Sequence, residues 1–408
     1  MKKCMIPLLC LFLLSACGKQ PAPARYHVND MLNCGCVFGD EFYYDFGAGQ
    51  VRYYTPDGIK EGLCRDPLCT HEFGVGSCPD STLTWGGGPH FATDGIKLYC
   101  NTPIPFQHAL TRRICSLSPD GTDMKMLYEF EATGNNSLDL VFADGFLYFE
   151  EGRYNEDYDR SAGYLDLSDQ YSFIIRIPIT GGRAEQVTKE RGEIGSHFDA
   201  DEKTLIRAFP TAGEIERTDL KTGDTERIPL PGVFTGVYPR LIDGTLYLTA
   251  YISRSVEVDR GDGTKVIYDG ERWFLYRATD GGWEMLAESE TRFVFAGDEI
   301  WTVREGMPEY LGTKAYPTGK GSETADWDIF DTHANRIMKI DVKTGKISET
   351  ALGEGVGEGE SVYRIFGVGE NVLYAVLSDP RGQIEGKPAR GQVCLSREDL
   401  SVIWRQEP

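Results

Sequence analysis

Four residues of metal-binding or nucleophilic type fall close together: Cys64, Cys69, His71 and Cys78, within Leu63-Cys64-Arg65-Asp66-Pro67-Leu68-Cys69-Thr70-His71 and the residues after it. Three thiolates and an imidazole are the soft donor set of a closed, tetrahedral structural zinc site. The spacing Cys64-x4-Cys69-x-His71-x6-Cys78 is not that of a zinc finger. Where thiols are oxidised, the same cysteines would form a disulfide instead. A catalytic cysteine would need a paired base, and spacing identifies none. Zinc and disulfide both stay open.

Other chemical patterns are incomplete. Asn155, Asp157, Asp159 and Asp166 match calcium-loop positions, but Arg160 stands where that loop needs glycine for its sharp turn. His71-Glu72 lacks the second histidine of a zinc protease, and no Gly-x-Ser-x-Gly elbow occurs. Arg260-Gly261-Asp262 has the form of an adhesive tripeptide, yet Asp259 to Gly263 reads fully as a hairpin turn. Two stretches concentrate exposed-type aromatics with carboxylates. Glu150 to Tyr171 carries Tyr154 and Tyr158, and Arg304 to Arg336 carries Tyr310, Tyr316, Trp327, Phe330 and His333. Such side chains stack on sugars or grip a protein partner, or else fold back and pack their own loops. Tyr154, Tyr158, Tyr310, Tyr316, Trp327 and His333 are therefore the candidate ligand-binding residues, and no catalytic residue is assigned.

The chain's first residues address it rather than fold. Lys2 and Lys3 precede an apolar run, Met5 to Leu14, too short to span a bilayer as a permanent helix. The run ends in Leu14-Ser15-Ala16-Cys17-Gly18, which resembles the lipobox of bacterial lipoproteins. That resemblance implies cleavage before Cys17 and lipidation of its sulfur with palmitate-type acyl chains. More than one chain is needed for stable anchoring, since each buried methylene contributes about 0.8 kcal/mol. The expectation is a lipid-anchored protein facing outside the cytoplasm. Its segments would be residues 1–16 as signal peptide, 17–33 as lipidated N-terminus and spacer, and 34–408 as folded domain. Pro21 and Pro23 stiffen that spacer.

The formal net charge is −21, which opposes nucleic acid as a partner. Of the eleven cysteines, Cys4 and Cys10 leave with the signal and Cys17 carries lipid. The rest crowd before Cys115, apart from Cys394, which suggests a local device rather than a disulfide framework.

The body is a repeat. Asp94-Gly95 before Leu98-Tyr99, Asp144-Gly145 before Leu147-Tyr148 and Asp243-Gly244 before Leu246-Tyr247 each read as a tight turn into a half-buried strand. Looser copies stand at Gly39-Asp40, Gly297-Asp298 and Gly369-Glu370. A second hairpin follows each, with turns such as Lys221-Thr222-Gly223 and Lys343-Thr344-Gly345. Two hairpins per unit of roughly fifty residues predict an all-β β-propeller of about seven four-stranded antiparallel blades, although six or eight also fit the spacing. The units begin near Phe38, Thr93, Ala143, Phe198, Ile242, Ala296 and Val368. In these turns the chain resembles the TolB-like and related extracytoplasmic propeller lipoproteins, and its Cys64-Arg65-Asp66-Pro67-Leu68-Cys69-Thr70-His71 stretch is similar to a Cys-Asp-Pro-x-Cys-x-His element in propeller lipoproteins of unknown function, with Arg65 inserted after the first cysteine. The ring is expected to close with Cys34–Phe46 pairing beside Val393–Trp404 in a composite blade.

With no complete catalytic constellation, the sequence favours a membrane-anchored binding or scaffold module whose partner is an unknown protein, peptide or glycan. The alternatives are a polysaccharide-active lyase or hydrolase, or a sensor subunit of a transport or signalling system. No cofactor is implied beyond the structural zinc.

Overall fold

A computed structural model describes residues 27–30, 35–45, 51–64, 90–103, 111–131, 139–154, 170–192, 196–317, 324–357, 359–385 and 390–406. Cys17, Cys69, His71, Cys78 and Tyr158 lie outside them. Seven blades of four antiparallel strands form a β-propeller. Blade 1 runs from Gly35–Phe38 to Gly58–Glu61, blade 2 from His90–Thr93 to Lys125–Glu131, and blade 3 from Leu140–Ala143 to Glu185–Gln186. Blade 4 runs from Phe198–Ala200 to Thr225–Pro229, and blade 5 from Gly236–Ile242 to Gly282–Ser289. Blade 6 runs from Val294–Ala296 to Ile347–Ala351, and blade 7 from Ser361–Val368 to Val402–Gln406.

Each blade is a sheet packed on both faces, so its central strands are apolar at successive positions rather than only at alternate ones. In Val372–Ser378 the side chains of Leu373, Ala375 and Leu377 join the cluster shared with blade 6, while Val372, Tyr374 and Val376 join that shared with blade 1. Seven buried clusters result, one for each contact between neighbouring blades. Period two decides which neighbour a side chain faces.

The turns follow their residues. Asp144-Gly145 and Asp243-Gly244 both have two consecutive positive φ values, 46° and 76° in one and 49° and 74° in the other. These are type I′ reversals, which suit the twist of the strands they join. Between Thr93 and Leu98 the loop is longer, and Asp94 Oδ1 accepts the N–H groups of Ile96 at 2.8 Å and Lys97 at 2.7 Å.

The ends differ from the sequence expectation in two ways. No composite blade forms: residues 35–61 and 361–406 build separate four-stranded blades, and the seam between them is closed by side chains. Each terminal unit already carries four strands of its own, so neither needs to borrow one. In addition, His27–Asp30, in the stretch expected as spacer, pairs with Gly35–Phe38 as a fifth strand. It is too short to show a period. It lies beside the first strands of blades 2 and 6 as well, and so runs inside the central channel.

Candidate functional site

In a four-stranded antiparallel blade, the second-to-third links and the links between successive blades open on one face, and the other turns open on the opposite face. Among the described residues, the first face carries the longest excursions. Blade 5 extends its middle strands to Thr245–Asp259 and Lys265–Thr279, with Asp259 to Gly263 at their joining turn. Blade 6 inserts an extra hairpin, Glu309–Pro317 with Thr324–Asp331, and blade 7 inserts the helix Pro380–Glu385.

These three excursions enclose a cleft of about 490 Å³. That volume suits a small ligand. Tyr268, Tyr316, Trp327, Phe330 and Tyr363 supply aromatic walls, and Glu305, Asp328, Thr332, Gln383 and Arg390 supply polar groups. The walls are braced from behind. Tyr268 meets Phe330 edge-on at 5.1 Å between ring centroids, and Tyr310 meets the same ring at 5.9 Å. Asp328 is gripped by Arg260 from the blade 5 turn at 3.1 and 3.2 Å, and it accepts the Thr313 hydroxyl at 2.7 Å. The Lys314 ammonium donates to the Gln383 carbonyl at 2.5 Å, which ties the hairpin to the helix. Even so, Trp327 stays 60 % exposed and Tyr363 44 %. Of the ten large apolar side chains exposed among the described residues, Ile267, Met307, Trp327, Tyr363 and Ile384 belong to this region. Among the described residues, half of the exposed large apolar side chains therefore gather at one place, as they do at binding surfaces.

Glu305 is the cleft's carboxyl held toward its neutral form. Burial pushes its carboxyl up to about 7, Glu290 adds to the shift by repulsion, and the Thr332 hydroxyl and Arg254 oppose it. Arg254 itself pairs with Glu290 at 3.4 Å. Burial likewise raises the Tyr268 phenol, with Glu305 and Tyr363 contributing. Arg390 lies over the Tyr363 ring, 3.5 Å from its centroid.

Of the candidates read from sequence, Tyr316 and Trp327 line the cleft. Tyr310 supports it, its hydroxyl hydrogen-bonded with that of Thr313 at 2.7 Å and its face under Arg260. His333 stands outside it between Asp331 and Glu309, at 3.3 and 3.4 Å, with a positive φ of 51°. Tyr154 ends the second strand of blade 3, opposite Gln170, away from the cleft elements. Cys64 is half-buried just after blade 1's last strand, and the other three residues of the zinc-or-disulfide pattern are outside the described residues. Among the described residues no group of three or more His, Cys, Asp or Glu is placed to hold a metal. Sequence reasoning missed Glu305, Tyr268, Tyr363 and Arg390. Glu305 opens the aromatic insertion and could have been weighed with it; the others come from neighbouring blades and carry no local signal.

A second polar centre sits beside the channel at blades 2 to 4. Asp139, almost fully buried, faces His197 at 2.8 Å and His90 at 3.5 Å. Next to it Arg207, fully buried, pairs with Glu150 at 2.7 Å and donates to the hydroxyls of Ser196 at 2.6 Å and Ser172. Every one of these atoms is used to join blades.

No protein-family model matches the chain, and no relative is found among curated proteins. Solved structures resemble it weakly. A prolyl endopeptidase aligns at 12% identity and a TM-score of 0.47 over 93% of this chain, which spans half of that enzyme's length. An oligogalacturonate lyase in complex with manganese gives 10% and 0.42, over 82% of this chain and 87% of that one. The β-propeller domain of the trilobed protease from Pyrococcus furiosus, described as having an open velcro topology, gives 10% and 0.34, over 78% and 97%.

Proposed function

We propose that the chain is a lipid-anchored, extracytoplasmic recognition module whose ligand site is the aromatic cleft between blades 5, 6 and 7. The observation that carries the reading is the convergence of three independent excursions on one face, leaving Trp327 and Tyr363 exposed over buried polar groups. A fold that only needed to close its ring would have no use for such rings in water. Among the described residues no helix is long and apolar enough to cross a membrane, so tethering rests on Cys17 and its lipobox-like surroundings.

The N-terminal strand supports the arrangement. His27 pairs with Phe38, at the first-to-second turn of blade 1, and Asp30 pairs with Gly35. His27 therefore lies at the end of the channel on the face opposite the cleft. Nine residues separate Cys17 from His27, ten steps along the chain and a reach of at most about 35 Å. A lipid on Cys17 would hold the turn-bearing face toward the bilayer and direct the cleft outward.

The test uses the full-length protein in its own membranes. Labelled fatty acid enters the wild type, and Cys17→Ser loses the label and is released; labelling and retention that persist in the variant would sink the anchor. On the purified soluble form, binding of a glycan or peptide panel is expected to weaken about tenfold or more in Trp327→Ala. Unchanged binding in that variant would remove the cleft from consideration.

A further inference from the structure

We propose that the cleft selects a small ligand carrying an organic cation, a protonated amine or quaternary ammonium, with Glu305 as its counter-charge and the rings of Tyr268, Tyr363 and Trp327 as its walls. The inference rests on the cleft being the ligand site and adds the chemical class of what enters it.

Three observations point the same way. The first is the wall itself: five aromatic rings around one cleft offer electron-rich faces, which attract cations far more than they attract neutral polar groups. The second is that the protein's own cations already use rings in this region. Arg390 sits over Tyr363, Arg260 lies 5.1 Å from the Tyr310 centroid, and Lys314 lies 5.6 Å from that of Tyr316. The third is an unpaired carboxylate. Glu305 feels both Glu290 and Arg254, but Arg254 is ion-paired with Glu290 at 3.4 Å. Among the described residues Glu305 has no ion-pair partner; its direct partner is the Thr332 hydroxyl. Arg390, the other lining cation, is stacked on Tyr363. A carboxylate without an ion pair of its own among the described residues, set in an aromatic cleft, is placed to meet a cationic ligand.

The groups facing Glu305 give the inference a pH signature. Glu290, Arg254 and Tyr268 approach it from blade 5 and its exit, Thr332 from the blade 6 insertion, and Tyr363 from blade 7 through Tyr268. With its carboxyl held near 7 by burial and by Glu290, Glu305 is largely protonated in mild acid and ionised above neutrality. A fixed cation should therefore bind more tightly as pH rises through about 7, level off above it, and displace a proton when it binds below it.

Choline serves as the fixed cation, with a glucosamine trimer and its N-acetylated counterpart as charged and neutral saccharide probes. Binding is followed by intrinsic fluorescence, with Trp327→Phe identifying the reporting ring, and by calorimetry. The expected result is saturable choline binding about tenfold tighter at about pH 8 than at about pH 5.5, with Glu305→Gln weakening it about tenfold and flattening the pH dependence. The glucosamine trimer should bind better than the N-acetylated one. Met126→Ala, at an exposed position on blade 2 away from the cleft, should retain choline binding, and a Glu305→Gln melt matching the wild type separates loss of charge from loss of fold. If the neutral trimer binds equally well, depends on Trp327 and ignores Glu305→Gln, the cleft remains the ligand site and its cation selectivity is overturned. If no probe binds in a Glu305-dependent way, the inference is overturned outright.

Discussion

Asp139 joins three blades through one carboxylate, and the chemistry of that contact fixes how it should respond to acid. Burial alone would raise its pKa, but His197 and His90 hold it well below the usual carboxylate range. Burial lowers the His197 pKa, and Asp139 more than offsets this, so the imidazole ends above its ordinary value. His197 thus contributes stability below its unfolded pKa that is lost as pH rises through the folded one. Asp139 contributes stability above its unfolded pKa that is lost as pH falls through its depressed one. The pair acts in full between about pH 4 and about pH 6.5. Asp139→Asn should cost about 2 kcal/mol at about pH 5.5, less than a fully buried pair because His197 is about a third exposed, and clearly less at about pH 8.5. Denaturant melts at the two pH values decide it, and an equal loss at both would contradict the pairing. None of this was legible beforehand. His197-Phe198-Asp199 was readable as a degenerate repeat start, but its partner lies 58 residues away, and period two names a face without naming what faces it. Arg207 escaped for the same reason: it occupies a strand position with a buried face, and Glu150 is 57 residues distant.

Individual elements were far more readable, because strand and turn are written locally. Asp144-Gly145 and Asp243-Gly244 announce reversals that only a few residue types make without strain, and the Asp341 carboxylate accepting the Thr344 N–H at 2.7 Å shows why the Lys-Thr-Gly turn recurs. The insertion from Arg304 to Arg336 was visible as a break in the repeat, although not as a hairpin, since neither of its strands has a buried face strong enough to mark a period. His27–Asp30 was invisible: four residues inside a ring are held by their neighbours rather than by their own pattern. That strand nonetheless governs how the disc should sit. A fluorophore on Thr344→Cys, at a third-to-fourth turn, lies on the face where His27 stands, whereas one on Glu309→Cys lies on the cleft face. If Cys17 carries the proposed lipid, energy transfer to an acceptor in the bilayer should be stronger from position 344 than from 309. Equal or inverted transfer would mean that the tether does not pass through the channel in this direction.

At the scale of the whole molecule the question is how a ring of seven blades stays shut. Many rings close by sharing strands between their ends, and that was the expectation here; the chain instead brings two complete blades face to face. Their seam has its own hydrophobic cluster, in which Phe42 and Tyr54 of blade 1 pack on Phe366 and Tyr374 of blade 7 at centroid distances of 5.0 to 6.4 Å. Polar contacts lock it at both edges. The Tyr374 hydroxyl donates to the Asp40 carbonyl at 2.5 Å, the Asn371 N–H donates to the Asp40 carboxylate at 2.6 Å, and the Trp404 indole N–H donates to the Thr55 carbonyl at 2.8 Å. Without a shared strand, no backbone ladder crosses the seam; a single backbone bond, from the Glu370 N–H to the Gly39 carbonyl at 3.1 Å, joins the side-chain contacts there, and this should be the easiest opening available to the ring. Trp404→Ala removes an indole that packs on Tyr374 and bonds across the gap, and it should cost about 2–4 kcal/mol, seen as a lower melting temperature of the whole domain. Met126→Ala, at an exposed position on the last strand of blade 2, should leave the melt within about 0.5 kcal/mol of wild type. Hydrogen exchange should rise first in Val402–Gln406 and Gly58–Glu61, the outer strands on either side of the seam. A Trp404→Ala protein that melts as the wild type does, with exchange rising elsewhere first, would show that the ring is held by something other than this seam.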